Sequence, residues 1–310
     1  MRVAAIDCGT NSIRLLIADV DESTGMLTDV VRTMRVVRLG EGIDRTGEFS
    51  TGALERTFAA CDEYAGLLAL HGGPALRFVA TSATRDARNR DAFIAGVRAR
   101  LGVEPDVIAG TEEAALSFLG AVRGLPPELL TLPVLVVDIG GGSTEFVLGE
   151  ALPSHSISID VGCVRMTERH LRSDPPTSEE IARVETDLAV ALDVAASAVP
   201  VGDARTLVGV AGSVTTVAAM ALGLSAYDPS VLHGAVVTLD QVERVTEQLL
   251  AMTRAERAAL PFMHEGRVDV IGGGAMVLRA LMRAYGQHEV IASETDILDG
   301  IVYRLVAPQT

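Results

Sequence analysis

Lysine is missing altogether: all 26 basic side chains among the 310 residues are arginines. Its absence excludes Schiff-base and pyridoxal catalysis, the GxxxxGK[ST] phosphate loop and the protein-kinase lysine, all of which need an amine. Tryptophan is also absent and aromatics make up only 4%, so a core must be aliphatic, and 48% of the residues are hydrophobic enough to build one. Positive charge is short against 41 acidic side chains, giving a net charge of −15. That balance argues against a nucleic-acid or anionic-membrane partner, because both need a basic surface that releases counterions. There are only three cysteines, Cys8, Cys61 and Cys163, an odd number without a CxxC pair, which points to a reducing cytoplasm. The opening MRVAAIDCGT reaches an acid at Asp7 without an apolar signal-peptide core, so secretion is not expected. The six histidines form no HExxH and no adjacent His-Asp pair, which removes the ligands of zincins and metal-dependent HD phosphohydrolases.

One stretch, residues 206–227, is uncharged and long enough to raise a membrane span. Gly209, Gly212, Ser213 and Gly223 interrupt it, so the expectation is a buried strand, a glycine turn and a buried helix. Elsewhere, RVAAID (2–7), IRLLIADV (13–20) and MLTDVVRTMRVVRL (26–39) read as an antiparallel three-strand meander. From Ser50 a helical spacing takes over. Strand LRFVAT (76–81), a helix to Leu101, strand PDVIA (105–109) and a helix from Thr111 to about Arg123 complete an α/β half.

GLPPELLTLP (124–133) reads as a connector, which sets domains of 1–126 and 127–310. Beyond it the opening repeats. PVLVVDIGGGSTEFVLGE (133–150) aligns with RVAAIDCGTNSIRLLIAD at a constant offset (138 − 7 = 131), matching Asp7 to Asp138, Gly9 to Gly140 and Ser12 to Ser143. The repeat implies an internal duplication of strand, phosphate-sized turn and strand. Further along, helices are expected at about 177–198, after Gly212 and near 239–251, with strands TLVGVA (206–211) and VDVIGGGA (268–275) and a final apolar helix.

The two hairpins form a natural phosphate clamp. Backbone N–H groups in glycine turns cradle phosphate oxygens, and carboxylates at the strand ends, Asp7 and Asp138, suit a hydrated Mg²⁺. DIGGGSTE adds a second acid, Glu145, as a further metal ligand. A bare GGGS run could equally be a tight turn, but the combination is more specific than most. Thr10, Asn11, Ser12, Gly140, Gly141, Gly142, Ser143, Gly212 and Ser213 supply the turns. Arg14 and Arg85 are candidates for the phosphate grip because a guanidinium matches phosphate bidentately. The other arginines of 77–100 read as a solvated face.

Five segments in order, Asp7-Cys-Gly-Thr-Asn-Ser-Ile-Arg14, Ala80-Thr-Ser-Ala-Thr-Arg85 with Asn89, Gly110-Thr-Glu-Glu-Ala114, Asp138-Ile-Gly-Gly-Gly-Ser-Thr-Glu145 and Val210-Ala-Gly-Ser213, resemble the exopolyphosphatase and guanosine pentaphosphate phosphohydrolase family over nearly the whole chain. The resemblance implies two ribonuclease-H-like domains of the actin, sugar-kinase and chaperone superfamily, enclosing a cleft. It also implies that Glu113 is the base activating water; spacing alone favours reading Glu113 as a capping acid in a helix's first turn. The implied reaction is Mg²⁺-dependent hydrolysis of the terminal phosphoanhydride of polyphosphate, with pppGpp hydrolysis or a non-catalytic polyphosphate or alarmone sensor as alternatives. A homodimer is also implied. Two departures from the family pattern stand out: Thr10 replaces a common Ser, and SETDILDG (293–300) replaces the usual REG ending. The chain ends soon after the second domain, which favours short polymers.

Overall fold

A computed structural model describes residues 1–307 and resolves into two compact units, Met1–Gly120 with the chain from Ile297 onward, and Ala121–Asp296. In the first unit, β1 (Arg2–Cys8), β2 (Ser12–Val20), β3 (Leu27–Val36), β4 (Ala75–Ala80) and β5 (Asp106–Val107) form one sheet in the order β3-β2-β1-β4-β5. The meander β1 to β3 is antiparallel, and β4 and β5 add in parallel. Its helices are α1 (Ile43–Thr46), α2 (Thr51–Leu70), α3 (Ser82–Asp86), α4 (Arg90–Leu101) and α5 (Gly110–Gly124). Ser50 caps α2 by accepting from the Ala53 amide.

Why β1 and β2 are apolar at almost every position is clear from their two faces. Ala4, Ile6, Cys8, Ile13, Leu15 and Ile17 join a core with Ala53, Tyr64 and Phe93 of α2 and α4. Val3, Ala5, Leu16 and Ala18 point the other way, into a core with Leu116 of α5 and with Ile297, Leu298 and Ile301. A strand buried on both faces loses alternation, as these do. The edge strand β3 is half-buried to exposed along its whole length, and its Arg32 and Arg35 are paired with acids, which guards an open edge.

The second unit holds β6 (Val134–Ile139), β7 (Thr144–Gly149), β8 (Pro153–Ile159), β9 (Thr206–Val210), β10 (Val236–Thr238) and β11 (Glu289–Ala292), ordered β10-β11-β9-β6-β7-β8. β8-β7-β6-β9 repeats β3-β2-β1-β4 strand for strand, with the same antiparallel and parallel senses. The expected duplicated ribonuclease-H-like architecture is present. Around this sheet lie α6 (Cys163–His170), α7 (Ser178–Ala198), α8 (Ala211–Ala221), α9 (Pro229–Leu232), α10 (Leu239–Ala251), α11 (Arg254–Ala258) and α12 (Ile271–Ala284). α13 (Ile297–Val306) follows and belongs to the first unit.

Three sequence expectations change. The chain leaves the first unit within α5, not at the proline connector, because the helix continues unbroken to Gly124. The second half is not contiguous to the end: the apolar face of α13 completes the first unit's core, and Gly300 lets it cross α5 closely, since a Cβ there would sit 2.0 Å from the Leu116 carbonyl oxygen. VDVIGGGA is not a strand; Ile271 opens α12, and its glycines serve helix packing. A Cβ on Gly273 would lie 2.8 Å from the Cys163 carbonyl oxygen, and one on Gly274 2.2 Å from the Ser213 hydroxyl, so α12 approaches α6 and α8 only without side chains there. The uncharged stretch 206–227 becomes β9 and α8, and no helix among the described residues is long and apolar enough to cross a membrane.

Candidate active site

The two hairpins match in detail. Gly9 N–H donates to the Ser12 carbonyl at 3.0 Å, and Gly140 N–H donates to that of Ser143 at 3.1 Å. Asp7 faces Arg14 across β1 and β2, as Asp138 faces Glu145 across β6 and β7. Directly opposed residues share a sheet face and lie close enough to interact. The duplicated scaffold therefore carries an ion pair in one copy and two carboxylates in the other.

In the first copy, Arg14 grips one Asp7 oxygen with Nε at 3.0 Å and Nη2 at 2.7 Å, Asp7 being 5% exposed. Asp7, expected as a metal ligand, thus already has a cationic partner. Thr10 is buried, and its hydroxyl pairs with that of Ser82 at 2.9 Å, tying the turn to the start of α3. The turn's carbonyls are held from behind: Gly40 N–H donates to Thr10, and the Val37 and Arg38 amides both donate to Asn11, at 2.8, 3.1 and 2.8 Å. Gly40 is required there, since a Cβ would come within 2.4 Å of the Thr10 methyl. Ser12 opens β2 half-buried.

Also in this unit, Glu113 sits in the first turn of α5, 8% exposed, with Arg85 Nη1 at 2.7 Å from its Oε2. The same nitrogen donates to the Ile108 carbonyl at 3.0 Å, which fixes the guanidinium where β5 ends and α5 begins. The carboxylate expected as base and the arginine expected to grip phosphate are therefore in contact. The neighbouring Glu112 is held at 2.7 Å by Arg77, which also binds Asp106. Arg88, Arg98 and Arg100 pair with Glu48, Glu104 and Asp62, the solvated face expected of them. Asn89 takes a fold role, exchanging two hydrogen bonds with the Phe49 backbone.

In the second copy, Asp138 and Glu145 are both buried, and Ser158 of β8 donates to Glu145 Oε1 at 2.7 Å. Two buried carboxylates side by side repel and favour a cation between them. They fit Mg²⁺, which takes one or two carboxylates and keeps its remaining positions for water and phosphate oxygens. No cluster of three or more acidic, histidine or cysteine ligands occurs among the described residues. Gly140, Gly141, Gly142 and Ser143 form the turn, backed by α6. Cys163 N–H donates to Gly140 at 3.0 Å, the Val164 and Arg165 amides to Gly141 at 2.9 and 3.1 Å, and Arg165 Nε to Gly142 at 2.7 Å. Gly162 permits this approach: a Cβ there would lie 2.5 Å from the Gly141 oxygen.

Gly212 and Ser213 occupy the first turn of α8, entered through Ala211 in the left-handed region at φ 66°. The Arg267 guanidinium covers Gly212, filling the place a Cβ would take at 1.0 Å. Ser213 hydrogen-bonds the Cys163 thiol, whose pKa is raised by burial. Tyr227 donates to Glu294 at 2.6 Å and accepts from the Thr215 hydroxyl at 2.7 Å, and burial raises its phenol pKa. Sequence reasoning missed Gly40, Gly162, Arg165 and Arg267. The first two are glycines beside recognisable turns and could have been suspected; the arginines reach their loops only through the fold.

The model of the Ppx/GppA phosphatase family matches residues 16–308. Exopolyphosphatase 2 of Mycobacterium tuberculosis is 49% identical, covering 98% of both chains. The crystal structure of an exopolyphosphatase-like protein superposes with a TM-score of 0.93 at 45% identity, covering 99% of each chain. That of the Aquifex aeolicus Ppx/GppA family member gives 0.82 at 30% identity, covering 99% of this chain and 97% of that one. With the duplicated hairpins and ordered motifs, these matches establish that the chain belongs to the Ppx/GppA phosphatase family.

Proposed function

We propose that the protein is an exopolyphosphatase that hydrolyses the terminal phosphoanhydride of inorganic polyphosphate and releases orthophosphate. The observation that carries this reading is the placement of Glu113: a nearly buried carboxylate at a helix start, within 2.7 Å of an arginine suited to phosphate. Phosphoryl transfer to water requires positioning and charge stabilisation more than a nucleophilic side chain, and these residues offer both. Arg85 and Arg14 bind equatorial oxygens through their forks. The amides of 10–12 in the first unit and, separately, those of 141–143 with Gly212 and Ser213 in the second are suited to phosphate oxygens. Glu113 accepts a proton from the attacking water as it approaches phosphorus. A carboxylate released from Arg85 by incoming phosphate becomes more basic, which suits that role.

Asp138 and Glu145 would hold Mg²⁺, with Asp7 left to Arg14. Such an ion would supply positive charge to offset that of the phosphate oxygens. Short chains are the preferred substrates in this proposal, and the protein works in the cytoplasm as a homodimer without nucleic acid.

The test is phosphate release with Mg²⁺ from tripolyphosphate, long-chain polyphosphate and pppGpp in parallel. A kcat/KM highest on tripolyphosphate is expected. Preference for pppGpp would move the protein to alarmone hydrolysis, and tight binding without release from any of the three would make it a sensor. Analytical ultracentrifugation tests the dimer.

A further inference from the structure

The carbonyls of Asn11 and Gly142, equivalent places in the two turns, are held in different ways. In a planar trans peptide the C=O of one residue and the N–H of the next point in opposite directions. Fixing a turn's carbonyls from behind therefore aims the following amides forward, which makes an anion-binding nest. In the first hairpin, backbone amides do all of this: Gly40 holds the Thr10 carbonyl, while Val37 and Arg38 hold that of Asn11. In the second, the α6 amides hold Gly140 and Gly141, the latter being the equivalent of Thr10. Gly142, the equivalent of Asn11, is held through a side chain, Arg165 Nε at 2.7 Å. That arginine side chain is only 10% exposed, and its Nη2 lies 4.0 Å from Asp160, itself 82% exposed.

We infer that Arg165 is a positioning residue of the phosphate turn: by holding the Gly142 carbonyl it orients the Gly142–Ser143 peptide so that the Ser143 amide faces a substrate phosphate oxygen. Arg165 itself lies behind the turn and does not touch substrate. The inference rests on the proposed phosphohydrolase reading for its substrate, and on the two hairpins alone for its geometry.

The experiment compares wild type, Arg165→Met and Arg165→Lys in tripolyphosphate hydrolysis with Mg²⁺, with thermal unfolding of each. Loss of one oriented hydrogen-bond donor costs on the order of a hundredfold to a thousandfold in rate, and misaiming it costs less. Arg165→Met is expected to lose at least about tenfold in kcat/KM, and Arg165→Lys, which keeps a donor for the carbonyl, to recover part of it. A folded Arg165→Met within twofold of wild type would overturn the inference, as would a folded Arg165→Lys no better than the Met variant. If the Met variant does not fold, wild type decides by amide NMR on adding methylenediphosphonate. The Ser143 amide must then shift with those of Gly141 and Gly142; a Ser143 amide unmoved while the other two shift overturns the inference. Failure of wild type to release phosphate from tripolyphosphate counts against the hydrolase reading, not this one, because the NMR measurement needs binding only.

Discussion

Arg14 and Glu145 occupy equivalent places in two copies of one hairpin, and that single difference gives the copies opposite electrostatics. Asp7 is neutralised by its neighbour, whereas Asp138 is given a second negative charge to face. Removing one partner of a largely buried ion pair leaves an uncompensated charge and costs about 3 kcal/mol, less where water reaches it. Arg14→Ala is therefore expected to lower the unfolding free energy by about 2 kcal/mol, and Asp7→Asn in the same background to restore part of it, both read by urea denaturation. Failure of the second change to restore stability would contradict the pairing. Thiols give a second check at this scale. Burial pushes the Cys61 pKa up to about 12, and all three cysteines are buried and free. Thiolate is the reactive form. Native protein at pH 8 should resist alkylation by iodoacetamide and become reactive in denaturant; rapid native labelling would show that the core opens. Glu113 was singled out through the family resemblance and Asp7 was expected as a metal ligand, not as the partner of Arg14; Asp138 and the glycine turns were legible in the sequence because each lies in a compact run. The contacts of Arg14, Arg165 and Arg267 were not, because register and helix packing create them.

At the scale of elements, local patterning predicted the strands and long helices well where one period dominates. It failed at 268–275, where Val-Ile followed by three glycines imitates a strand running into a turn. The glycines are there because α12 packs against α6 and α8 with no room for a Cβ. Overpacking of this kind typically costs 1–3 kcal/mol. Gly274→Ala should destabilise the protein by about 2 kcal/mol and displace Ser213, whose hydroxyl would lie 2.2 Å from the new methyl. A variant with unchanged thermal stability would show that the crossing is looser. α6 is anchored at its other end by Asp187 of α7, which takes His170 at 2.7 Å and Arg169 at 3.2 Å. The hydrogen bond from His170, with that from Arg169, holds the Asp187 pKa below its ordinary 3.8. A carboxyl depressed in the folded state binds its proton more readily when unfolded, so its contribution is complete above the ordinary value and lost as pH falls through the folded one. Asp187→Asn should flatten the fall in unfolding midpoint below about pH 4 and leave the profile above pH 6 unchanged; an unaltered acid limb would contradict the pairing.

At the scale of the whole molecule, the duplication explains most of what the sequence revealed. The aligned Asp, Gly and Ser positions implied a duplicated strand, turn and strand, and both sheets contain it within a shared run of strands, the second sheet adding one strand at its edge. The return of α13 to the first unit was not legible from chain order, since it depends on which apolar face the helix completes. It also gives one departure from the family pattern a structural use. Asp299, in the SETDILDG segment, is 1% exposed and pairs with Arg32 of β3 at 2.5 Å, so its charge serves the fold.

The most direct measurement is phosphate release from tripolyphosphate with Mg²⁺ by Glu113→Gln, beside its affinity for methylenediphosphonate. Loss of a general base costs about a hundredfold or more in kcat, and the amide leaves the phosphate-binding turns in place. A fall of that size with affinity within about threefold of wild type is the predicted result; turnover close to wild type in a folded variant would contradict the assignment of Glu113 as the water-activating base.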